Sequence, residues 1–375
     1  MAKSFIFSSH NFNNPGKTTF FLLTIIVTVL FSSLLFLSCA PAEQNDKESS
    51  IEDNGDQDGK KGKASDDLEP KQEEEEKEGQ EKEDKDKSYQ EDYPEVLPDE
   101  IRDLPPHPEG QIMILMYHGI GESEGEWQRT PENFRRDLRT LYQEGYRLIS
   151  MNDLLDGDID VPPGTTPVVL TFDDGKEGQF RYLEDEKDEA GNPKMDPDCA
   201  VAIMEQFYDE NPEFGLEASF YIFYDNPFRQ QEWVEEKLNY LVDQGFEIGN
   251  HGYRHGNLGQ LSQESKEAVE KELALHIEST QDYLPGYEIR TLALPYGAWP
   301  SPRELAIEGE YQGTSYQHDG VLLVGANPTP SPFHEDFDPY ALPRVRASEK
   351  NTEGVGMYDW LEYFKENPEH RYIAE

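Results

Sequence analysis

The chain has 375 residues, 35% of them hydrophobic, and its 78 acidic against 33 basic side chains give a formal net charge of −45. A field of that sign repels nucleic acid, polyanionic substrates and anionic lipid surfaces, which argues against all three as partners. With only two cysteines, Cys39 and Cys199, no disulfide framework is available, so a folded part must rest on its own apolar core.

Residues 1–40 contain no acid and two lysines, Lys3 and Lys17, then an apolar run over 20–37 and the sequence Ser38-Cys39-Ala40. A basic start, an apolar middle and small residues at the end make a secretory signal. Segment 1–39 resembles a bacterial lipoprotein signal, which implies lipidation of Cys39 as the first residue of the mature chain. The apolar run also approaches the length of a spanning helix, so an uncleaved anchor is the alternative. Both readings place the rest of the chain outside the cytoplasmic membrane, attached to it at the N-terminus.

Residues 40–105 form an acidic linker. Between 41 and 100 there are 24 acids and nine bases, with Glu73-Glu74-Glu75-Glu76 at the centre and almost no aliphatic residue before Val96. Such a segment cannot bury enough apolar surface to offset its ordering entropy and is predicted disordered. As a flexible coil its sixty residues span roughly 40–45 Å, enough for a tether that lifts a domain toward surface polymer. A solubilising spacer without positional role fits equally.

From 106 to 375 the pattern becomes that of a folded domain. It is also very acidic, with 53 acids and 21 bases, which suggests a protein adapted to high salt, where screening removes self-repulsion. Strands are expected over 112–116, 168–171, 218–223, 246–249 and 291–294, and helices over 131–144, 198–208, 232–244 and 262–284. The first helix has Thr130 as N-cap and Phe134, Leu138, Leu141 and Tyr142 on one face. Cys199, inside the second helix, reads as a small buried hydrophobe. Strand followed by helix, repeated, predicts parallel strands with covering helices, an arrangement that gathers functional groups at the carboxyl ends of the strands.

Two such ends carry chemistry. The run Val168-Val169-Leu170 leads into Thr171-Phe172-Asp173-Asp174-Gly175, and two adjacent carboxylates are tolerated best when solvated or when a cation neutralises one of them. The apolar segment before Gly249 leads into Asn250-His251-Gly252-Tyr253-Arg254-His255, where two imidazoles four apart can converge on one ion if the intervening residues coil like a helical turn. One carboxylate and two histidines leave positions open for water and substrate, the donor set of a catalytic Zn²⁺ or similar divalent ion. Segment 176–197, polar and tipped by Gly191-Asn192-Pro193, follows the acid pair directly; it either shapes access to the site or is a plain surface loop.

In this order Thr171-Phe172-Asp173-Asp174-Gly175, His251-x-x-x-His255 and Leu294-Pro295-Tyr296-Gly297 resemble the first three motifs of the polysaccharide deacetylases of the NodB-homology type, carbohydrate esterase family 4. Met113-Ile114-Leu115-Met116-Tyr117-His118-Gly119-Ile120 is similar to a first strand common in that family, and the resemblance spans roughly residues 108–350. It implies an α/β fold, a distorted (β/α) barrel with fewer than eight strands. It further implies a metal, most simply Zn, on Asp174, His251 and His255, with Asp173 as general base and the backbone N–H of Tyr296 as oxyanion donor. The implied activity is removal of N-acetyl, or O-acetyl, groups from a polysaccharide such as peptidoglycan or poly-N-acetylglucosamine, by a monomer.

The chain departs from the family pattern at two places that matter. Ala293 stands where many relatives have an arginine that orients the base, and Arg344, in the strand-like segment 342–346, can supply that charge or serve at the surface. No late Leu-x-His follows residue 340, which leaves His118, His318, His334 or a metal-bound water as the general acid; of these His118 ends a strand and should face the mouth of the barrel. A non-catalytic, metal-containing glycan-binding lipoprotein and a surface-assembly protein carried by its acidic tether are the competing readings. The intact Asp173 counts against the first, because a pure binder has no use for a base.

Overall fold

The computed structural model describes residues 104–187, 191–349 and 355–375. The predicted signal segment 1–39 with Cys39, and nearly all of the linker, lie outside the described residues. Among the described residues no helix is long and apolar enough to cross a membrane.

In chain order the elements are β1 (Gln111–Tyr117), α1 (Pro131–Gln143), β2 (Tyr146–Leu148), α2 (Met151–Asp156), β3 (Thr166–Asp173), α3 (Ala200–Glu210), β4 (Ser219–Ile222) and α4 (Val234–Asp243). After them come β5 (Glu247–Asn250), α5 (Leu258–Glu264), α6 (Lys266–Tyr283), β6 (Thr291–Ala293), β7 (Gly320–Leu322), β8 (Thr329–Pro330), β9 (Val345–Arg346) and α7 (Met357–Glu366). One sheet runs β7-β6-β5-β4-β3-β1-β8, with β2 also on β3 and β9 also on β1. Every pair in it is parallel except β1 with β8.

The segment 342–346 joins the two ends of this sheet. Leu342 donates its N–H to the Val321 carbonyl (3.0 Å) and accepts from the Leu323 N–H (2.8 Å), while Val345 and Arg346 pair with Leu115 and Met116 of β1. Six parallel strands and this seventh stave therefore make the expected distorted (β/α) barrel with fewer than eight strands. The strands are short and almost wholly buried, as both faces of a helix-covered parallel sheet must be.

Strand periodicity then sorts the side chains. Met113, Leu115, Tyr117, Val168, Leu170 and Phe172 point outward into a core shared with Phe134, Leu138 and Leu141 of α1 and Val201 and Met204 of α3. Ile112, Ile114, Val169, Tyr221, Ala293, Leu322 and Leu342 form the inner core. Continuing that alternation puts Thr171 and Asp173 on the inner face of β3 and His118 on the inner side just beyond β1. Thr130 caps α1 as expected, accepting from the Asn133 N–H at 3.2 Å. Cys199 is buried, and burial pushes its thiol up to about 11.

The structure corrects three local expectations. The helix predicted over 262–284 is two helices, because Ser265 is extended (φ −168°, ψ 160°) and its hydroxyl caps α6 by accepting from the Ala268 N–H. The 176–197 segment is not a featureless loop: it holds a single-turn helix, Glu177–Gln179, and a hairpin of Tyr182–Lys187 with Pro193–Met195, its base anchored by buried Phe180 and Tyr182. Residues 251–255 do not coil as a helical turn; the chain there is an irregular bend with left-handed backbone at Gly252 (φ 74°) and His255 (φ 58°).

Candidate active site

The carboxyl ends of β3 and β5 bring together three side chains. One donor atom from each of Asp174, His251 and His255 lies within 4.8 Å of the others. Asp174 Oδ1 is 3.5 Å from His251 Nε2 and 3.4 Å from His255 Nε2. His251 Nδ1 is 2.8 Å from the Ala293 carbonyl, so that nitrogen must carry the proton, which leaves the lone pair on Nε2 facing the cluster. Burial and the neighbouring His251 push His255 down to about 4, so its imidazole is neutral at pH 7, the form that binds a cation. Burial pushes the Asp174 carboxyl up, but hydrogen bonding to His251 and the surrounding cationic groups hold it well below the usual range. Two imidazoles and one carboxylate, converging within 4.8 Å of one another, fit a divalent cation of the zinc type.

Asp173 turns the other way, into the barrel, and is 2% exposed. Arg344, fully buried, grips it with two parallel bonds, Nη1 to Oδ1 and Nη2 to Oδ2, both 2.7 Å. The same guanidinium donates to the Thr171 hydroxyl (3.1 Å) and to the Leu323 carbonyl (2.9 Å), so two walls of the barrel, β3 and the chain just after β7, fix it. Burial alone would raise the Asp173 carboxyl; the Arg344 charge beside it more than offsets that and keeps it ionised. His118 Nε2 is 4.0 Å from Asp173 Oδ2, its ring lies 4.7 Å from that of Trp127, and burial pushes it down to about 4.

Tyr296 follows β6 on the same rim, its ring 4.4 Å from that of His255 and 66% exposed. Its backbone is left-handed (φ 59°), as is that of Asp174 (φ 76°). With His255, three non-glycine residues at this one site occupy a conformation that costs about 1–3 kcal/mol each, strain that folded proteins keep mainly where geometry serves function. The remaining acid candidates lie elsewhere. His318 is fully buried between the Ala306 carbonyl and the Asn250 amide, where it orients the residue before His251, and His334 accepts from the Asp336 N–H.

Sequence reasoning missed Gln179, Trp127 and Lys176, all of which stand at the site. Lys176 Nζ is 3.3 Å from Asp174 Oδ2. No motif flags these residues, and the only available signal was that Lys176 and Gln179 lie within five residues of the acid pair.

Fold and site together make a barrel whose mouth holds three converging metal-capable donors beside a buried carboxylate. Residues 160–308 match the family model described as polysaccharide deacetylase, a span that carries Asp173, Asp174, His251, His255 and Tyr296. That span is similar to a polysaccharide deacetylase domain of the NodB-homology kind, the domain of a deacetylase enzyme. Among solved structures, the Streptococcus pyogenes deacetylase PplD in complex with acetate is 16% identical, the match covering 69% of this chain and 98% of that one at a TM-score of 0.48. A polysaccharide deacetylase from Bacillus cereus is 19% identical over 67% of this chain and 68% of its own, TM-score 0.48. IcaB from Ammonifex degensii is 18% identical over 64% and 93%, TM-score 0.44. No curated protein matches the sequence.

Proposed function

We propose that the chain is a metal-dependent, monomeric deacetylase that removes N-acetyl groups, and O-acetyl groups where they occur, from a cell-surface or extracellular polysaccharide such as peptidoglycan or poly-N-acetylglucosamine. In this reading 1–39 is the signal, 40–105 the tether and 106–375 the catalytic domain. Lipidated Cys39, or an uncleaved N-terminal helix, holds the enzyme on the outer side of the cytoplasmic membrane. The observation that carries the reading is a buried, ionised Asp173, locked by Arg344, next to the Asp174–His251–His255 donor cluster.

Those three residues would hold the cation, with zinc best suited to the donors; when bound it polarises the acetamide carbonyl and acidifies water. Asp173 takes the proton from the attacking water, and Arg344 keeps that carboxylate charged and aimed. The Tyr296 N–H donates to the carbonyl oxygen as negative charge gathers there. His118, neutral at rest, gains proton affinity beside that growing charge, takes over the proton that Asp173 removed from the water and passes it to the departing amine nitrogen, so both residues end as they began. Water and the amide are consumed, acetate and a free amine formed.

Acetate release from N-acetylglucosamine oligomers by the purified protein, before and after chelation and after zinc is restored, tests this. Release that chelator abolishes and zinc restores is expected. A protein that binds zinc tightly yet stays silent on every acetylated glycan would sink the enzymatic reading.

A further inference from the structure

Gln179 lies in the single turn Glu177–Gln179 that follows the acid pair, and its side chain is fully buried. Its Nε2 donates to two backbone carbonyls at once, that of His118 at 2.7 Å and that of Asp173 at 2.5 Å. One nitrogen thus links the ends of the two neighbouring staves that carry the proposed acid and base. Two carbonyls as partners settle the amide orientation, since only the NH₂ end can satisfy both. The other end, Oε1, is then buried with no hydrogen-bond partner among the described residues.

An unmet buried acceptor costs stability, and a methionine or leucine would fill the same volume without it. What the glutamine adds is the link itself. The turn is also seated closely on both sides. A Cβ on Gly178 would come within 1.8 Å of the Ile120 carbonyl oxygen, so this turn lies directly against the backbone just after His118. Behind it, Lys237, fully buried, donates to the Phe180 carbonyl (2.8 Å) and to Gln230 Oε1 (2.7 Å). Gln230 in turn bonds both the N–H and the carbonyl of Tyr182.

We propose that Gln179 is a positioning residue for the deacetylation, a latch that sets the relative placement of His118 and Asp173. The proposal rests on the deacetylase reading above. It gives the first turn of the 176–197 segment a catalytic purpose other than shaping access: the segment supports the reacting pair from behind.

Two substitutions test it. Gln179→Met fills the space without a donor, and Gln179→Glu keeps the shape while replacing both donors by acceptors. Both are expected to lower kcat by about ten- to a hundredfold, the scale of a sub-ångström misplacement, with KM and zinc affinity within about twofold of the parent. Gln179→Met removes one unmet acceptor but strands the two carbonyls it served, so it should melt somewhat below the parent, and its pH–kcat profile should be displaced. A kcat within twofold of the parent in both variants, or a loss explained by weaker zinc binding, overturns the latch. Acetate release by the parent tests the deacetylase reading separately. Should the parent be silent, a crystal structure of Gln179→Met decides the latch alone: an unchanged 4.0 Å between His118 Nε2 and Asp173 Oδ2 overturns it, and a change beyond about 0.5 Å sustains it.

Discussion

Replacing Arg344 by methionine removes the only guanidinium that touches Asp173 among the described residues and leaves a carboxylate that is 2% exposed with His118 4.0 Å away. Breaking a buried ion pair from one side costs about 3–5 kcal/mol, and about 1.4 kcal/mol corresponds to one pKa unit. If protonation relieves the stranded charge, the Asp173 carboxyl rises above its usual range, because burial acts on it with no cation to offset it. The sign follows from the parent: Arg344 holds this carboxyl below its usual range, so the base is ionised throughout the neutral region. In Arg344→Met the base protonates at higher pH, so the acid limb of kcat/KM moves upward in pH. Stability moves with it. The depressed parent carboxyl contributes stability that is complete above its unfolded value, about 3.9, and lost as pH falls through the folded value. The raised carboxyl of the variant behaves in the opposite sense, so the variant's melting deficit should shrink as pH is lowered from neutral toward acid. Acetate-release profiles and thermal melts across pH measure both effects. An acid limb that coincides with the parent's, together with a melting deficit independent of pH, would refute the reasoning.

Three further outcomes are expected. Asp174→Ala removes one of three converging donors and should weaken zinc binding at least about a hundredfold by calorimetric titration; a variant that loads metal like the parent would show that the cluster is not the site. Ser265→Ala deletes the cap of α6 and should cost about 1 kcal/mol in denaturant titration without affecting zinc binding, and a change of less than a few tenths would mean the extended Ser265 backbone alone divides the two helices. With a formal charge of −45, the melting temperature should climb as sodium chloride is raised from about 0.05 to 1 M; a flat or falling series would remove the case for salt adaptation.

Buried parallel strands betray themselves locally, because each must be apolar on both faces, and so β1 and β3 were legible as continuous runs ending in His118 and in the acid pair. The α1 helix was legible too, since its cap and its apolar face are set by residues within one or two turns. The donor types of the cation site could be read in the same way, two short motifs whose chemistry is intrinsic to their side chains. Where a local pattern was ambiguous, reading failed: nothing in the polar run around Ser265 distinguishes one helix from two, and the bend at 251–255 depends on left-handed residues that only its surroundings hold in place.

Arg344 shows the division most clearly. In sequence it was one of two arginines in a strand-like segment, 171 residues from the carboxylate it holds, with a surface position equally open to it. Only closure of the barrel by 342–346 turns its side chain inward onto Asp173, and only the adjacency of β1 and β3 lets Gln179 link His118 to that same residue. The amino-acid sequence by itself determined which groups this protein carries and which short stretches are buried, because those follow from composition and near-neighbour periodicity. The tertiary structure decided which group faces which, because pairings across a barrel are made by strands far apart in the chain whose register no local signal encodes.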